Sequence, residues 1–458
     1  MTASSRAQAF PRAEMRLQRW FAAVSQSAAE PRVWLAWGAL RLYGVLALHG
    51  MAPYRRVFRS DGDLREYWLW AHSFWQGQIP YRDFHLLYPP GVLPVLALPP
   101  VSLSWYSAEF LLAALVVDAL ILRLLLRSGR RTGAFVWVFA APLLGPIFWS
   151  RLDIFVAGLL VAGVLSFQRG NHRWAAICLA WAALIKLWPA VFLVIILRLV
   201  PRGRRTAYLA TAGATLAVGL LPFVCFGASN SLWYIIQVQT GRGVEVESIF
   251  AVPLYALAAA GHLVPITISG SVEFLGGIDS VISAISSYLL IIGALYCLWR
   301  AIRRPLPGHD AARWLLLVVI VLLLTDRVLS AQYMVWIAAA VALFIDQAAN
   351  RKQIFTITTL LLVATQLQFP FGFYQMLFGT RLALPLSILH AVSLVFFAAI
   401  IFQSINRPIS LGSLVPYRTG LSLHEEKTIV AARGSSQYVP SARRLTRTTR
   451  ITTEGRLC

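Results

Sequence analysis

Long apolar stretches separated by short polar segments occupy most of the chain between Val33 and Phe402. About 20 consecutive apolar residues are enough for a helix to cross a membrane. Because a chain in hydrocarbon must satisfy its own backbone hydrogen bonds, helices are the structure expected for such stretches. The pattern predicts an all-α polytopic membrane protein built from about twelve transmembrane helices.

Most of the predicted spans are continuous helices. They cover residues 33–51, 105–126, 133–149, 154–168, 206–226, 281–299, 354–369 and 384–402. Residues 94–103 contain Pro99 and Pro100, which interrupt a helix. We expect this piece to lie at the interface or to re-enter the membrane, and we expect an interfacial helix around residues 67–75.

Residues 174–200 form a longer apolar segment that is interrupted at Lys186 and Pro189. A single helix would leave the basic patch at Arg202 on the wrong side, whereas two short helices keep the basic patches on one side. Each half is then about 13 residues, or roughly 20 Å, long. Two such helices can meet at depth only where their ends line a water-filled cavity. The segment 313–345 has a similar interruption, around Arg327.

The same pattern divides the chain into three regions. Residues 1–30 are a basic cytoplasmic N-terminus, residues 31–405 are the membrane domain, and residues 406–458 are a basic cytoplasmic tail that we expect to be disordered. Within the membrane domain we expect a first outer loop at 53–92 and a second large outer region at 228–280. The N-terminus is too polar for a cleaved signal peptide, so the prediction is a multi-pass plasma (inner) membrane protein.

Composition supports the membrane class. Apolar residues make up 58% of the chain and charged residues 13%, whereas a soluble domain has about a quarter charged residues. The net charge of +22 is spread over short basic patches between spans, which is typical of cytoplasmic loops that contact anionic lipid head groups. This distribution argues against nucleic acid binding and identifies the lipid bilayer as the partner. The four cysteines show neither disulfide nor metal-ligand spacing.

The stretch from Asp61 to Gly91 concentrates acids, histidines, arginines and aromatic residues beside a membrane domain. A carboxylate at the membrane face can act as a general base toward a sugar or lipid hydroxyl. Asp63 is the first candidate for that role and Asp61 the second. The alternative for either residue is to cap the helix that follows, because Asp is favoured at helix N-termini.

Lys186 and Arg327 lie at the interruptions of the two broken segments, flanked by apolar sequence. Charges at such depth are costly and usually face a cavity or a partner. A phosphate is a natural partner for a desolvated Lys or Arg. The alternatives are snorkelling to the interface and an internal ion pair, of Arg327 with Asp326 or Asp153.

Three further groups of residues are candidates. Arg151 and Asp153 are expected to form a salt bridge at a hairpin tip. Arg242, Glu245 and Glu247 could bind acceptor hydroxyls, although a solvated loop explains them equally well. Tyrosines near residues 67–88 could stack on sugars or belong to the aromatic belt of a membrane protein.

No nucleotide-binding loop and no metal-ligand spacing occur in the sequence. An active site that faces away from the cytoplasm has no nucleotide-activated donors nearby. A lipid-linked sugar donor that arrives within the bilayer fits such a site better, and no cofactor is predicted.

Several motifs, in their order along residues 60–400, resemble those of glycosyltransferase family 87, membrane mannosyltransferases of the GT-C superfamily. The motifs are Asp63-Leu64-Arg65-Glu66-Tyr67, Gly77-Gln78-Ile79-Pro80-Tyr81-Arg82-Asp83-Phe84, Tyr88-Pro89-Pro90-Gly91, Arg151-Leu152-Asp153, Arg173 to Lys186 with Pro189, Glu247-Ser248 and Ser330-Ala331-Gln332-Tyr333-Met334-Val335-Trp336. Two departures occur. Ala331 stands where the family pattern has proline, and His85-Leu86-Leu87 lacks the acid often found before Tyr-Pro-Pro.

The resemblance implies a GT-C-like bundle that transfers mannose with inversion from a polyprenyl-phosphate donor to a lipid- or glycan-linked acceptor. Asp63 would be the catalytic base. The residues implied to bind the donor phosphate are Lys186, Arg327, Gln332 and Tyr333. The residues implied to contact substrate are Asp61, Tyr67, Tyr81, Arg82, His85, Tyr88, Arg151, Asp153, Arg242 and Glu247.

Other functions remain compatible with the sequence. Broken helices and cations at mid-span also suit a secondary transporter or lipid flippase, although transport does not need the acidic, aromatic first loop. A pentose or glucose transferase of the same fold and a non-catalytic assembly protein are further alternatives. The sequence predicts neither the acceptor nor an oligomeric state.

Overall fold

The computed structural model describes residues 30–46, 61–228, 231–268, 271–307 and 310–407. Residues 61, 231, 232, 235, 238, 239 and 268 are described by their backbone alone. The predicted N-terminal region, the first part of the outer loop and nearly all of the predicted tail lie outside these residues.

The first half of the described chain is helical. Its helices are α1 (residues 30–46), α2 (Asp61–Trp75), α3 (Leu93–Leu96), α4 (Leu103–Arg127), α5 (Arg131–Leu144), α6 (Asp153–Gln168), α7 (His172–Ile185), α8 (Pro189–Leu199) and α9 (Arg205–Cys225). Short 3₁₀ turns at Pro90–Val92, Gly145–Phe148 and Arg202–Arg204 join several of them. The helix expected around residues 67–75 is present as α2, and its interfacial position stays a prediction.

The second half continues with helices and one small sheet. The helices are α10 (Ser231–Thr240), α11 (Ala251–Ala259), α12 (Gly277–Arg303), α13 (Ala311–Thr325), α14 (Met334–Phe344), α15 (Arg351–Gln366), α16 (Phe373–Leu377) and α17 (Ala383–Asn406). Further 3₁₀ turns occur at Ala331–Tyr333 and Ile345–Gln347, and a π-helical turn at Leu367–Phe371.

A three-stranded antiparallel sheet lies in the second predicted outer region. Its strands are β1 (Val244–Glu245), β2 (Ile266–Ile268) and β3 (Ser271–Phe274), in the order β1-β3-β2. Glu245 pairs with Glu273 in the register of β1 and β3. Val244 and Phe274 are buried in a cluster with Tyr255 of α11. The sequence analysis missed this sheet because strands of two to four residues leave almost no periodic signal.

The predicted membrane class is confirmed. Five helical segments of the described chain are long and apolar enough to cross a membrane: Arg131–Phe148, Arg202–Cys225, Gly277–Arg303, Arg351–Phe371 and Ala383–Asn406. Five shorter apolar helices accompany them in the described chain, and four of these belong to the two pairs predicted from the interrupted segments. The number of crossings, about twelve from the apolar pattern, stays a prediction.

Both predicted helix interruptions are present. Helix α7 ends at Ile185 and α8 begins at Pro189. Proline is favoured at the first position of a helix, where its missing N–H costs nothing. The second interruption lies between Thr325 at the end of α13 and Met334 at the start of α14.

Helix α14 is the centre of the bundle, because every residue from Met334 to Phe344 is buried. The burial comes from neighbouring helices, since α14 packs against α5, α6 and α13. Gly133 of α5 makes one of these contacts possible. A Cβ at Gly133 would lie 1.9 Å from the carbonyl oxygen of Ala342.

A buried ion pair links α1 to α4. The Arg41 guanidinium donates to both carboxylate oxygens of Asp118, at 2.8 and 3.0 Å. Asp118 also accepts hydrogen bonds from the indole nitrogens of Trp137 and Trp149, at 2.7 and 3.1 Å. Since Arg41 is 3% and Asp118 0% exposed, water cannot stabilise either charge, and each depends on the other to offset the cost of burial.

The Tyr-Pro-Pro-Gly motif positions the first outer loop against the end of α7. A Cβ at Gly91 would lie 2.5 Å from the Cβ of Leu184 and 2.8 Å from its carbonyl oxygen. Only a residue without a side chain allows the loop to come this close. Gly91 therefore places Tyr88, three residues earlier, beside the residues that follow α7.

Substitution Asp118→Asn is expected to destabilise the protein by about 3–5 kcal/mol, because it leaves the Arg41 charge buried without a counter-charge. The midpoint of thermal unfolding in detergent measures this. Glu109→Gln on the same helix is the matched control, since Glu109 only accepts from the exposed Trp105 indole. An equal loss in both variants would contradict the ion-pair argument.

Substitution Gly91→Ala is expected to lower stability by about 1–3 kcal/mol through overpacking against Leu184. Gly38→Ala serves as the control, because a Cβ at Gly38 meets nothing within 4 Å and alanine favours a helix. Thermal unfolding of both variants tests the close approach. A Gly91→Ala protein as stable as the native one would show that the loop can move away from Leu184 without loss of stability.

Candidate active site

Four charged side chains from three separate segments form a line. Arg151 makes an ion pair with Asp63, and the Lys186 ammonium lies 3.6 Å from an Asp153 carboxylate oxygen. Arg151 and Asp153 are two residues apart, so the two ion pairs are neighbours. The structure thereby brings together the candidate base, the hairpin tip before α6 and the end of α7.

Local structure favours three of these four charges. Asp63 lies in the first turn of α2 and Asp153 is the first residue of α6. Acidic groups there interact favourably with the positive end of the helix dipole. Lys186 follows the last residue of α7, where the negative end of the helix dipole favours a cation. The sequence therefore selects charge signs that suit both the helix ends and the ion pairs.

The expected salt bridge between Arg151 and Asp153 is wrong. Each residue instead pairs with a charge from another segment, Arg151 with Asp63 and Asp153 with Lys186. Sequence proximity suggested the first pairing, but neighbouring residues at a turn point in different directions. Instead of one salt bridge between near neighbours in the sequence, the structure has two ion pairs that each join residues of distant segments.

Three aromatic rings surround the Lys186 ammonium. The nitrogen lies 4.9 Å from the ring centre of Tyr88, 5.0 Å from that of Tyr333 and 5.7 Å from that of Trp336. Tyr333 stacks on Trp336 with centroids 4.2 Å apart. Such cation–π contacts offset part of the cost of burying the ammonium. Its distance from Asp153 exceeds that of a hydrogen bond, so its three N–H donors keep capacity for an anion.

The segment that leads into β1 contributes a second cation. Arg242 donates to a Glu273 carboxylate oxygen at 2.7 Å and lies 3.8 Å from Glu245. It is also within electrostatic reach of Lys186. The sheet therefore holds Arg242 at the same site as the residues after α7.

Residues 245–248 are tied to the interruption between α13 and α14. Glu247 accepts a hydrogen bond from the Ala331 N–H at 2.6 Å. The Ser248 hydroxyl donates to the Asp326 carbonyl oxygen at 3.0 Å, and the Glu245 N–H donates to the Arg327 carbonyl oxygen at 3.0 Å. These bonds bring the Glu-Ser and Ser-Ala-Gln-Tyr motifs together and fix the position of Tyr333.

Burial raises the pKa of Glu245 and of Glu247 above their ordinary values. For Glu245 the desolvation outweighs the opposing effect of Arg242. For Glu247 it outweighs the hydrogen bond from Ala331. The outer region thus adds carboxyl groups that hold a proton more readily than a solvated glutamate.

The contacts of Ala331 explain why an alanine stands where the family pattern has proline. Its backbone N–H is the group that donates to Glu247, and proline has no such donor. The alanine therefore supplies a hydrogen bond that a proline at the same position could not make.

Arg327 is held by the protein itself. Its guanidinium donates to the carbonyl oxygens of Ser283 and Thr240, both at 3.0 Å, and to the Ser287 hydroxyl. The side chain is buried. These contacts connect α10, α12 and the interruption after α13, so Arg327 stabilises the segments that form the candidate site.

Several buried polar atoms around Lys186 have no hydrogen-bond partner in the described part of the chain. They are Tyr67 Oη, Ser150 Oγ, both Asp153 carboxylate oxygens, Trp188 Nε1, Glu245 Oε2 and Trp336 Nε1. Buried polar groups in proteins almost always have partners. Their concentration here marks the place where a polar substrate group could be bound.

The remaining candidates of the first outer loop fall into two groups. Tyr67 is buried and packs edge-on to Tyr88, at 6.3 Å between ring centres. Tyr81 has a positive φ of 69° and donates to the Tyr88 carbonyl oxygen at 2.6 Å, which supports the loop. Arg82 and His85 are on the exposed side.

The exposed pair makes contacts away from Lys186. Arg82 pairs with Asp83 at 2.9 Å and donates to the Phe226 carbonyl oxygen. His85 stacks on Tyr234, at 4.5 Å between ring centres. The Asp61 side chain lies outside the described residues, and Gln332 is buried.

The sequence analysis did not single out Glu273, Asp326, Trp188 and Trp336 as site residues. Trp336 could have been found, because it follows Tyr333 by three residues and so shares a helix face. Glu273 could not, since its role comes from a strand register. In the described chain no group of three His, Cys, Asp or Glu side chains is suited to hold a metal ion.

The Ala331→Pro variant is expected to lose about 1–3 kcal/mol of stability, because it removes a donor from the buried Glu247 carboxyl. Thermal unfolding of this variant, of Glu247→Met, which has no side-chain oxygen to accept the bond, and of the double variant forms a cycle. A coupling of about 0.5–3 kcal/mol is expected for two residues in contact. Additive effects would contradict the hydrogen bond as the reason for alanine.

Comparison with known proteins gives one result. The family model for glycosyltransferase family 87 matches residues 85–326, just over half of the chain. The match includes Arg151, Asp153 and Lys186, whereas Asp63 precedes it and Tyr333 follows it. No curated protein matches the chain. Membership of the GT-C superfamily is consistent with this family. The chain therefore belongs to glycosyltransferase family 87.

Proposed function

We propose that this membrane glycosyltransferase transfers mannose, with inversion, from a polyprenyl-phosphate donor to a lipid- or glycan-linked acceptor on the extracytoplasmic face. Family membership supports glycosyl transfer and does not favour the transporter or flippase alternative. The observation that carries the finer proposal is the line of charges Asp63, Arg151, Asp153 and Lys186. It joins a partly exposed carboxylate to an ammonium within one site.

In the proposed reaction Asp63 accepts the proton of the acceptor hydroxyl while that oxygen attacks the anomeric carbon. The bond between this carbon and the phosphate oxygen breaks, and polyprenyl phosphate leaves with one additional negative charge. A single displacement of this kind inverts the anomeric configuration. Asp63 suits the task because its side chain is 31% exposed and can reach a substrate.

Lys186 is proposed to stabilise the departing phosphate. It is a cation whose surroundings are fixed before substrate arrives, and preorganised charges of this kind lower barriers effectively. Tyr88, Tyr333 and Trp336 hold it at one position, and their ring faces are suited to a sugar. Asp153 orients the ammonium.

Arg151 is proposed to position Asp63 rather than to bind substrate. It is largely buried and forms its ion pair with that carboxylate. Arg242 is proposed as the second cation at the phosphate, since it lies within electrostatic reach of Lys186. Arg327 is then a supporting residue, because its guanidinium bonds to Ser283 and Thr240.

The distribution of arginines supports an extracytoplasmic site. Helices α6 and α8 each have one end at the candidate site and an arginine at the other, Arg169 and Arg198. Basic residues mark the cytoplasmic side, so the site is expected on the opposite face. A donor there has to arrive within the bilayer, which favours polyprenyl phosphate as its carrier.

Asp63→Asn is expected to reduce mannose transfer from a polyprenyl-phosphate donor by about 10²–10⁴-fold, the usual contribution of a general base. Transfer to a membrane glycolipid acceptor by purified protein measures this. Asp83→Asn is the matched control, because Asp83 lies in the same loop but pairs with the exposed Arg82. Its rate should stay near that of the native protein.

Donor binding and thermal unfolding of Asp63→Asn are measured in the same samples. Donor binding is expected to change little, since asparagine keeps the volume of aspartate. The midpoint of unfolding is expected to fall, because the largely buried Arg151 loses its counter-charge, so transfer rates are compared per amount of folded protein. Native rates in Asp63→Asn would remove Asp63 from the mechanism. Transfer from a nucleotide sugar but not from a polyprenyl-phosphate sugar would overturn the proposed donor.

A further inference from the structure

A cavity of about 470 Å³ lies between α1 and α4, apart from the candidate active site. Its lining consists of Glu30, Trp34, Val116, Ala119, Leu120, Arg123, Leu126 and Arg127. The lining is cationic at one end and apolar along the rest.

The cavity and the candidate active site lie at opposite ends of α4. Phe110, near the start of this helix, packs on Tyr67 with ring centres 5.4 Å apart. Arg123 and Arg127 follow Phe110 by roughly 20 and 25 Å at 1.5 Å per residue. If the active site faces one leaflet of the membrane, the cavity faces the other.

Arg123 and Arg127 are four residues apart, so they lie on one face of α4. Both are exposed, and within the described chain the ion pairs involve other residues. The helix dipole favours Arg127 in the last turn, but its effect does not extend to Arg123. Two adjacent guanidinium groups are well suited to bind a phosphate.

Apolar side chains continue from the arginines toward the middle of the helix. Val116 and Leu120 precede Arg123 and Arg127 by seven residues each and are 51% and 49% exposed. Trp34 of α1 faces them across the cavity. A soluble anion gains nothing from such a surface, whereas the acyl chains of a lipid bury it.

We propose that this cavity binds one anionic glycerophospholipid. Its phosphodiester lies between Arg123 and Arg127, and its acyl chains cover Trp34, Val116 and Leu120. Two arginines and Glu30 give the lining a net charge of +1, which matches the single negative charge of phosphatidylglycerol. The bound lipid then links α1 to α4 at the end of the helix pair.

The charge of the lining also argues against another occupant. The N-terminal residues that precede Glu30 include Arg12, Arg16 and Arg19. A basic segment is repelled by Arg123 and Arg127 but attracted to anionic lipid head groups. The lipid is therefore the complementary partner.

The test uses the purified full chain and native mass spectrometry with equal amounts of phosphatidylglycerol and phosphatidylcholine. The native protein is expected to retain phosphatidylglycerol preferentially. The double variant Arg123→Gln/Arg127→Gln should retain it at least about tenfold less, since each arginine contributes about a factor of five near a membrane surface. Glu30→Gln should increase retention, because it removes the negative charge.

Arg169→Gln/Arg173→Gln is the matched control, since these arginines are also exposed and four residues apart. Its retention should equal that of the native protein. Equal retention of the two lipids, an unaffected Arg123/Arg127 variant, or an equal loss in the control would each overturn the proposal. Displacement of the lipid by millimolar glycerol phosphate would assign the cavity to a soluble phosphate instead.

Discussion

Asp153 is the first residue of α6, and Lys186 follows the last residue of α7. Neither charge can be buried among apolar side chains without the other. An unpaired charge in such surroundings costs several kcal/mol, so the position of α6 relative to α7 is coupled to this ion pair. The same constraint applies to Arg41 and Asp118 between α1 and α4. These two ion pairs thus each join separate helices.

The two pairs differ in how completely they are satisfied. Asp118 accepts from Arg41 and from two indole nitrogens, so its oxygens are fully used. Among the described residues neither Asp153 oxygen has a hydrogen-bond partner, and the Lys186 ammonium that lies 3.6 Å away is itself surrounded by the rings of Tyr88 and Tyr333. An ion pair whose hydrogen-bonding capacity is fully used stabilises the fold, whereas one with unused capacity can still bind a ligand. This difference separates the structural pair from the candidate catalytic one.

The amino-acid sequence by itself determined the membrane class and the helix interruptions at Lys186 and Arg327. Each depends on a local property: apolar length, proline position or the distribution of arginines. Order along the chain also allowed the resemblance to glycosyltransferase family 87, because motifs keep their order whatever their distances in space. The candidate residues Asp63, Lys186 and Tyr88 could be named for the same reason.

Only the tertiary structure decided which of these residues meet. It paired Arg151 with Asp63 instead of Asp153, and it committed the guanidinium of Arg327 to backbone carbonyl oxygens. It also placed Glu247 against Ala331 and formed a sheet too short to leave a periodic pattern. Pairing between distant segments depends on how helices pack in three dimensions, and a one-dimensional pattern carries no information on which side-chain directions converge.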